Sequence, residues 1–139
     1  MKQKNMFMTA AIISILLFSA CNQLEEPKTP KELVKKISTR AGELTLKYEN
    51  TQATLSGELF RGTPCVSWKV GTAVTKDLPI SQVNINIYDE NKNKGMFCIQ
   101  VVAEPQQINE VIKNVDKNTK YIISFEDEAV FEGKLGDRK

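Results

Sequence analysis

The chain has 139 residues, 41% of them apolar, with 19 basic side chains against 17 acidic ones and no histidine. Without histidine, Ser-His-Asp and Cys-His nucleophilic sites and imidazole-ligated metal sites are all excluded. The acids follow no spacing that singles out a pair and no cofactor or metal motif is present, so the composition points to a non-catalytic protein rather than to an enzyme.

Lys2 and Lys4 precede an almost unbroken apolar stretch from Met6 to Phe18, and Ser19-Ala20 place small residues before Cys21. These are the basic, apolar and cleavage regions of a signal peptide. The apolar run, roughly 13 residues, is well short of the ~20 that a spanning helix needs. Leu17-Phe18-Ser19-Ala20-Cys21 resembles the lipobox of bacterial lipoproteins, with Leu17 one place farther from the cysteine than that family's usual leucine. The resemblance implies that residues 1–20 are removed and that Cys21 opens the mature chain. It also implies a diacylglycerol thioether on Cys21 and a new amine open to a further acyl chain such as palmitate. Two or three chains at ~0.8 kcal/mol per buried CH₂ make a stable membrane anchor. The implied location is extracytoplasmic, on the cell membrane. Asn22 is similar to the residue that follows the cysteine in lipoproteins sent to an outer membrane, in hosts that have two. Glu25-Glu26 loosely resembles a surface-export signal, or more simply reads as two solvated acids in a linker.

Removing Lys2 and Lys4 takes the 19 basic residues to 17, level with the 17 acidic ones. A neutral mature chain gives no electrostatic reason to expect nucleic acid as a partner. Its ~119 residues suffice for one domain with one core.

Residues 21–29 are polar and punctuated by Pro27, the composition of a tether. Thr29-Pro30-Lys31-Glu32 then carries a helix-start pattern, with a capping threonine, proline at the first helical position and a glutamate that closes a capping box. Leu33, Val34 and Ile37 form an apolar stripe and Gly42 ends it, which predicts a short helix over 30–42.

From Glu43 to the C-terminus, residues 43–139, the hydrophobic period becomes two. Leu44, Leu46 and Tyr48, a turn at Asn50-Thr51, then Ala53, Leu55 and Leu59 predict a first hairpin. Cys65–Val70 reads as a third strand, Gly71–Ser81 as a longer loop, and Val83, Ile85 and Ile87 as a half-buried strand. After the polar turn Asp89–Gly95, Met96–Ala103 is nearly continuously apolar and predicts a strand buried on both faces or placed centrally in its sheet. Ile108, Val111, Ile112 and Val115 fit a helix turn or an irregular strand, the β surroundings favouring the strand. A strand from Tyr121 and a last one over Ala129–Leu135 bring the number to eight. Strands of this length and spacing predict an antiparallel β-sandwich.

Asp116 to Phe125, a polar turn leading into Tyr121 and an alternating strand, is similar to the tyrosine corner of immunoglobulin and fibronectin III-like sandwiches. That resemblance implies that the Tyr121 hydroxyl ties the turn back to the sheet. Thr63-Pro64-Cys65-Val66-Ser67-Trp68, Cys98-Ile99-Gln100-Val101-Val102 and Tyr121-Ile122-Ile123 together resemble small secreted prokaryotic β domains without an assigned activity. The resemblance runs over Thr63 to Gly133.

With Cys21 lipidated, Cys65 and Cys98 remain, and outside the reducing cytoplasm they are expected to form a disulfide. Free buried thiols are the alternative. Closing a loop of roughly 34 residues would stabilise the fold by ~3 to 4 kcal/mol.

Function is then expected from loops on a rigid scaffold that meet an envelope protein, the candidates being Leu78–Ser81 and Asn91–Gly95 with Asn91 and Asn93. Arg61-Gly62-Thr63-Pro64-Cys65, braced by the bridge, could instead enter the active site of an envelope hydrolase as an inhibitor, with Arg61 and Pro64 in contact. Trp68 either packs near the bridge or lines that surface. A histidine-free enzyme is the remaining alternative.

Overall fold

The computed structural model describes residues 32–136. The expected signal peptide, lipid-bearing Cys21 and tether lie outside the described residues. Eight strands follow one another: β1 (Leu33–Thr39), β2 (Gly42–Glu49), β3 (Gln52–Leu59), β4 (Trp68–Thr75), β5 (Gln82–Asp89), β6 (Gln106–Lys113), β7 (Lys120–Phe125) and β8 (Glu128–Lys134). They form two four-stranded sheets, ordered β1-β2-β3-β6 and β4-β5-β7-β8.

Alternation along the strands builds the core between the sheets. Leu44, Leu46, Leu55 and Leu59 point inward from the first sheet, and Val83, Ile85, Ile87, Ile123 and Phe125 meet them from the second, in a single buried cluster. This is a β-sandwich-like arrangement, and non-directional burial of these side chains is what holds the sheets face to face.

The first sheet is antiparallel throughout. In the second, β5 and β7 run parallel, so the expectation of a wholly antiparallel sandwich is corrected there. Connectivity is the cause. The chain leaves β5, returns along β6 in the other sheet, and enters β7 in the direction β5 had.

Residues 33–39, expected in a helix, form an edge strand. Their apolar stripe fits either period, because Leu33 and Ile37 share a face at spacing four in a helix and also in a strand. An isolated helix of this length is marginal in water, whereas the edge of β2 offers a full antiparallel ladder from Leu33↔Tyr48 to Thr39↔Gly42. Gly42 does mark a boundary, but of a hairpin: its φ is +150° and a Cβ there would lie 2.3 Å from the Glu58 carbonyl oxygen. Thr39 secures the same turn, its hydroxyl accepting from the Ala41 N–H at 3.1 Å and donating to the Gly42 carbonyl at 2.9 Å.

Ile108, Val111 and Ile112 lie in strand β6, as favoured. The expected tyrosine corner is not made. Tyr121 is buried, but its hydroxyl has no hydrogen-bond partner among the described residues. The turn before it closes on itself instead, the Asp116 N–H donating to Thr119 Oγ1 at 3.1 Å and the Thr119 N–H to the Asp116 carbonyl at 3.1 Å. Burial raises the Tyr121 hydroxyl pKa to about 12.

The two ends of the sandwich differ. Near Leu33, where the described chain begins, lie the turn at Asn50-Thr51 and the loops 76–81 and 114–119, joined by the Val115 N–H donating to the Thr51 carbonyl and the Lys120 N–H to the Ser81 carbonyl. Loops 60–67 and 90–105 gather at the far end, with the turns Arg40-Ala41 and Glu126-Asp127.

Candidate contact surface at the far end

The segment expected as a buried or central strand is an exposed loop. Residues 96–105 carry no secondary structure, and Met96, Phe97, Ile99, Val101 and Val102 all face solvent, Ile99 at 72% and Val102 at 81% exposure, with Phe97 fully exposed. Composition and hydrophobicity gave no warning of this, because an apolar run reads the same whether a fold buries it or displays it. Clustered apolar side chains at the surface of a folded chain mark an interaction site.

What makes this loop a presented surface rather than a loose end is its attachment to loop 60–67 at three places. On the way in, the Glu90 N–H donates to the Ser67 carbonyl at 2.9 Å, and the Asn91 side-chain amide donates to the Cys65 carbonyl at 2.8 Å. Midway, Cys98 is bridged to Cys65, with Cα atoms 5.8 Å apart and sulfurs at 2.17 Å. At the exit, Arg61 Nε donates to the Glu104 carbonyl at 2.9 Å, and the Gln106 side chain exchanges two hydrogen bonds with the main chain of Trp68, at 2.9 and 2.7 Å. Ala103 is buried and seats the end of the loop.

The expected disulfide is therefore present, but it joins two loops. Cys65 was expected inside a strand and Cys98 inside another. In the structure β4 begins only at Trp68, extends through residues expected as loop to Thr75, and Cys98 lies in no strand.

Each expected contact residue now has a place. Trp68 is 7% exposed, its ring 4.7 Å from that of Phe125 and its Nε1 donating to the Phe60 carbonyl at 2.9 Å, so it belongs to the floor under the loops and not to a contact surface. Arg61 is spent on Glu104, while Pro64 stands exposed at the crown of loop 60–67. Asn91 is a structural brace and Asn93 is exposed beside it. Leu78 and Ile80 are exposed at the opposite end, in the loop between β4 and β5 beside Asp116 and Asn118, and so do not share a surface with these residues.

A polar groove of about 340 Å³ lies between the end of β5 and the turn Glu126-Asp127, where Asn93 lines it together with Asn86, Tyr88, Asp89 and Lys92. Two of its three acids, Asp89 and Glu126, are engaged by neighbours. Asp89 Oδ1 accepts from the main-chain N–H groups of Ser67 and Asn91 at 3.0 Å each, and Glu126 pairs with Arg40 and with Lys92 at 3.2 Å. Carboxylates held this way are locked as acceptors for the fold. Among the described residues no three histidine, cysteine or acidic side chains converge to hold a metal ion.

The apolar residues of loop 96–102 are the functional candidates that sequence reasoning placed in the core. No signal in the sequence separated them from a core strand, because a cysteine within an apolar run is found in buried strands and in bridged loops alike. Compared with family models, with curated proteins and with solved structures, the chain finds no match.

Proposed function

We propose that this is a lipid-anchored envelope lipoprotein that acts as a non-catalytic binding module, holding its partner on the disulfide-braced loop Met96–Val102. The observation that carries the reading is the exposure of Phe97, Ile99 and Val102 on a loop bridged at Cys98 and tied on either side at Glu90-Asn91 and Glu104. Exposed apolar side chains are costly to leave in water, and a rigid loop gives up little conformational entropy when a partner covers them. The lipobox-like Leu17–Cys21 supports lipidation at Cys21 after removal of residues 1–20, with an extracytoplasmic location, on an outer membrane where the host has one. Two four-stranded sheets over one core support kinship with immunoglobulin or fibronectin III-like sandwiches in layout, the parallel β5-β7 pair being the departure.

The test places a photo-crosslinking amino acid at Phe97 in cells that make the protein. A discrete crosslinked envelope protein that disappears when Ile99 and Val102 are changed to serine supports the reading, and no crosslink above that of a probe at Lys113 refutes it. Labelled fatty acid on the wild type and none on Cys21→Ser tests the anchor separately.

A further inference from the structure

The contact loop has a main chain as open as its side chains. Between Met96 and Val102 the one backbone N–H that donates to a backbone carbonyl among the described residues is that of Val101, to Ile99 at 2.9 Å, a three-residue turn at Gln100. Residues 95–103 carry no charge and no proline, and their β-branched and aromatic side chains favour an extended, pleated backbone. A local preference for strand is thus met by no neighbouring strand. We infer that Met96–Val102 takes its partner by strand addition: an extended, uncharged polypeptide segment with apolar side chains at alternate positions pairs its main chain with this loop. The inference rests on the reading of the loop as the contact surface and names what that surface holds.

Three observations select a polypeptide strand over a lipid surface. Free N–H and C=O groups gain partners from another strand, whereas hydrocarbon offers them none. Gln100 lies midway along the segment and would have to enter the hydrocarbon with it. The two lysines that lead into the loop are paired with acids, Lys92 with Glu126 at 3.2 Å and Lys94 with Glu90 at 4.0 Å, which leaves Arg61, held on the Glu104 carbonyl, as the one cation of the two tied loops without a carboxylate among the described residues, too little charge to draw an anionic headgroup. The bridge adds orientation. Cys98 turns its side chain toward loop 60–67, which leaves its neighbours Phe97 and Ile99 on the open side, the alternation a partner strand needs.

The experiment uses the full chain as purified from producing cells and two capped peptides of eight residues that alternate valine with threonine. One is unmodified, and the other carries N-methyl groups on two adjacent central residues, which blocks both hydrogen-bonding edges and keeps the side chains. The unmodified peptide is expected to slow amide exchange at least 10-fold within residues 96–102 and to bind at least 10-fold more tightly than the methylated one. Ile99→Pro, which removes a donor and keeps an apolar side chain, is expected to lose that binding. Equal binding of the two peptides, or no slowing of exchange by either, overturns the inference. So does slowing of exchange within 96–102 by phosphatidylcholine vesicles in the absence of peptide binding, or a dimer that alone protects 96–102. Failure here with a surviving Phe97 crosslink leaves the binding-module reading in place, whereas loss of the crosslink removes both.

Discussion

Replacing Cys65 and Cys98 together by serine isolates the work of the bridge. The two residues are 33 apart in sequence, so the bridge closes a loop that the unfolded chain would otherwise explore freely. In the chain-entropy treatment that restriction is worth about 4 kcal/mol at room temperature. For a domain of this size such a loss lowers Tm by roughly 15–25 °C. The folded side of the balance changes less, because neither cysteine belongs to the buried cluster and both lie in loops. The double variant should therefore keep its far-ultraviolet dichroism while its urea midpoint falls and its m-value rises, the unfolded chain being more expanded without the link. Trp68, the chain's single tryptophan, reports the transition by fluorescence from directly beneath the bridged loops. A loss below about 1 kcal/mol would show that the oxidised unfolded state gains nothing from the link, and would refute the entropic reasoning. A variant that lacks native dichroism in water would instead show that the bridge supports the core, contrary to its position.

Tyr121→Phe removes a buried hydroxyl that has no partner among the described residues, so it should leave stability unchanged or raise it by up to about 1 kcal/mol in urea denaturation; a loss near 2 kcal/mol would reveal a bond like that of a tyrosine corner. The same residue has a pH signature. Its folded pKa of about 12 exceeds the ordinary 10.0, so the unfolded state loses this proton first, and the contribution is whole below pH 10 and fades between pH 10 and 12; Tyr121→Phe should flatten that part of the stability curve relative to wild type. Trp68→Phe should cost about 1–3 kcal/mol by chemical denaturation, through a smaller ring against Phe125 and an unmatched Phe60 carbonyl. Gly42→Ala should cost about 2 kcal/mol or more, because its Cβ must displace the Glu58 carbonyl at a backbone angle alanine avoids; a thermal midpoint equal to wild type would contradict the observed hairpin. Phe97→Ser should change stability by no more than about 0.5 kcal/mol, since the ring is already in water.

Alternation made most of the architecture legible. Leu44, Leu46, Leu55, Val83, Ile85 and Ile87 were readable as inward-facing because period two with polar neighbours admits one arrangement, and all are buried. Two stretches misled for opposite reasons. In residues 33–39 the helix signals were real but local, and the pairing edge of β2 outweighed them. For Met96–Ala103 the inference from apolar composition to burial failed, because the three ties that hold the loop away from the core involve Cys65, Arg61 and Trp68, some thirty residues or more distant in sequence. Eight strands were expected and eight are present, but β1 takes the place assigned to Met96–Ala103. The disulfide was readable from the expected compartment and the cysteine number, whereas its location in loops was not, since cysteine spacing carries no information on secondary structure.

With the proposed lipid on Cys21, the placement of the loop bears on which partner it can meet. The described chain begins beside Leu33 at one end of the sandwich, and loops 60–67 and 90–105 crown the other. A strand of β5's 8 residues is roughly 27 Å long at ~3.4 Å per residue, so an anchor attached ahead of β1 holds the apolar loop about that distance farther out when the domain stands upright. The stretch from Cys21 to Leu33 can extend to at most ~40 Å at ~3.4 Å per residue, long enough for the domain also to lie over. The two arrangements are distinguishable because they solvate Phe97 differently. Standing upright, the loop meets proteins beyond the headgroup layer, and a lipid-phase quencher should leave an environment-sensitive dye at residue 97 unaffected while a water-soluble one quenches it. Lying over, it reaches the anchor's own bilayer, and the preference of the two quenchers reverses. The free main chain and engaged cations of the loop favour the upright arrangement, so quenching from the lipid phase by the lipidated protein would contradict both the strand-addition chemistry and the role of the far end as the module's outward face.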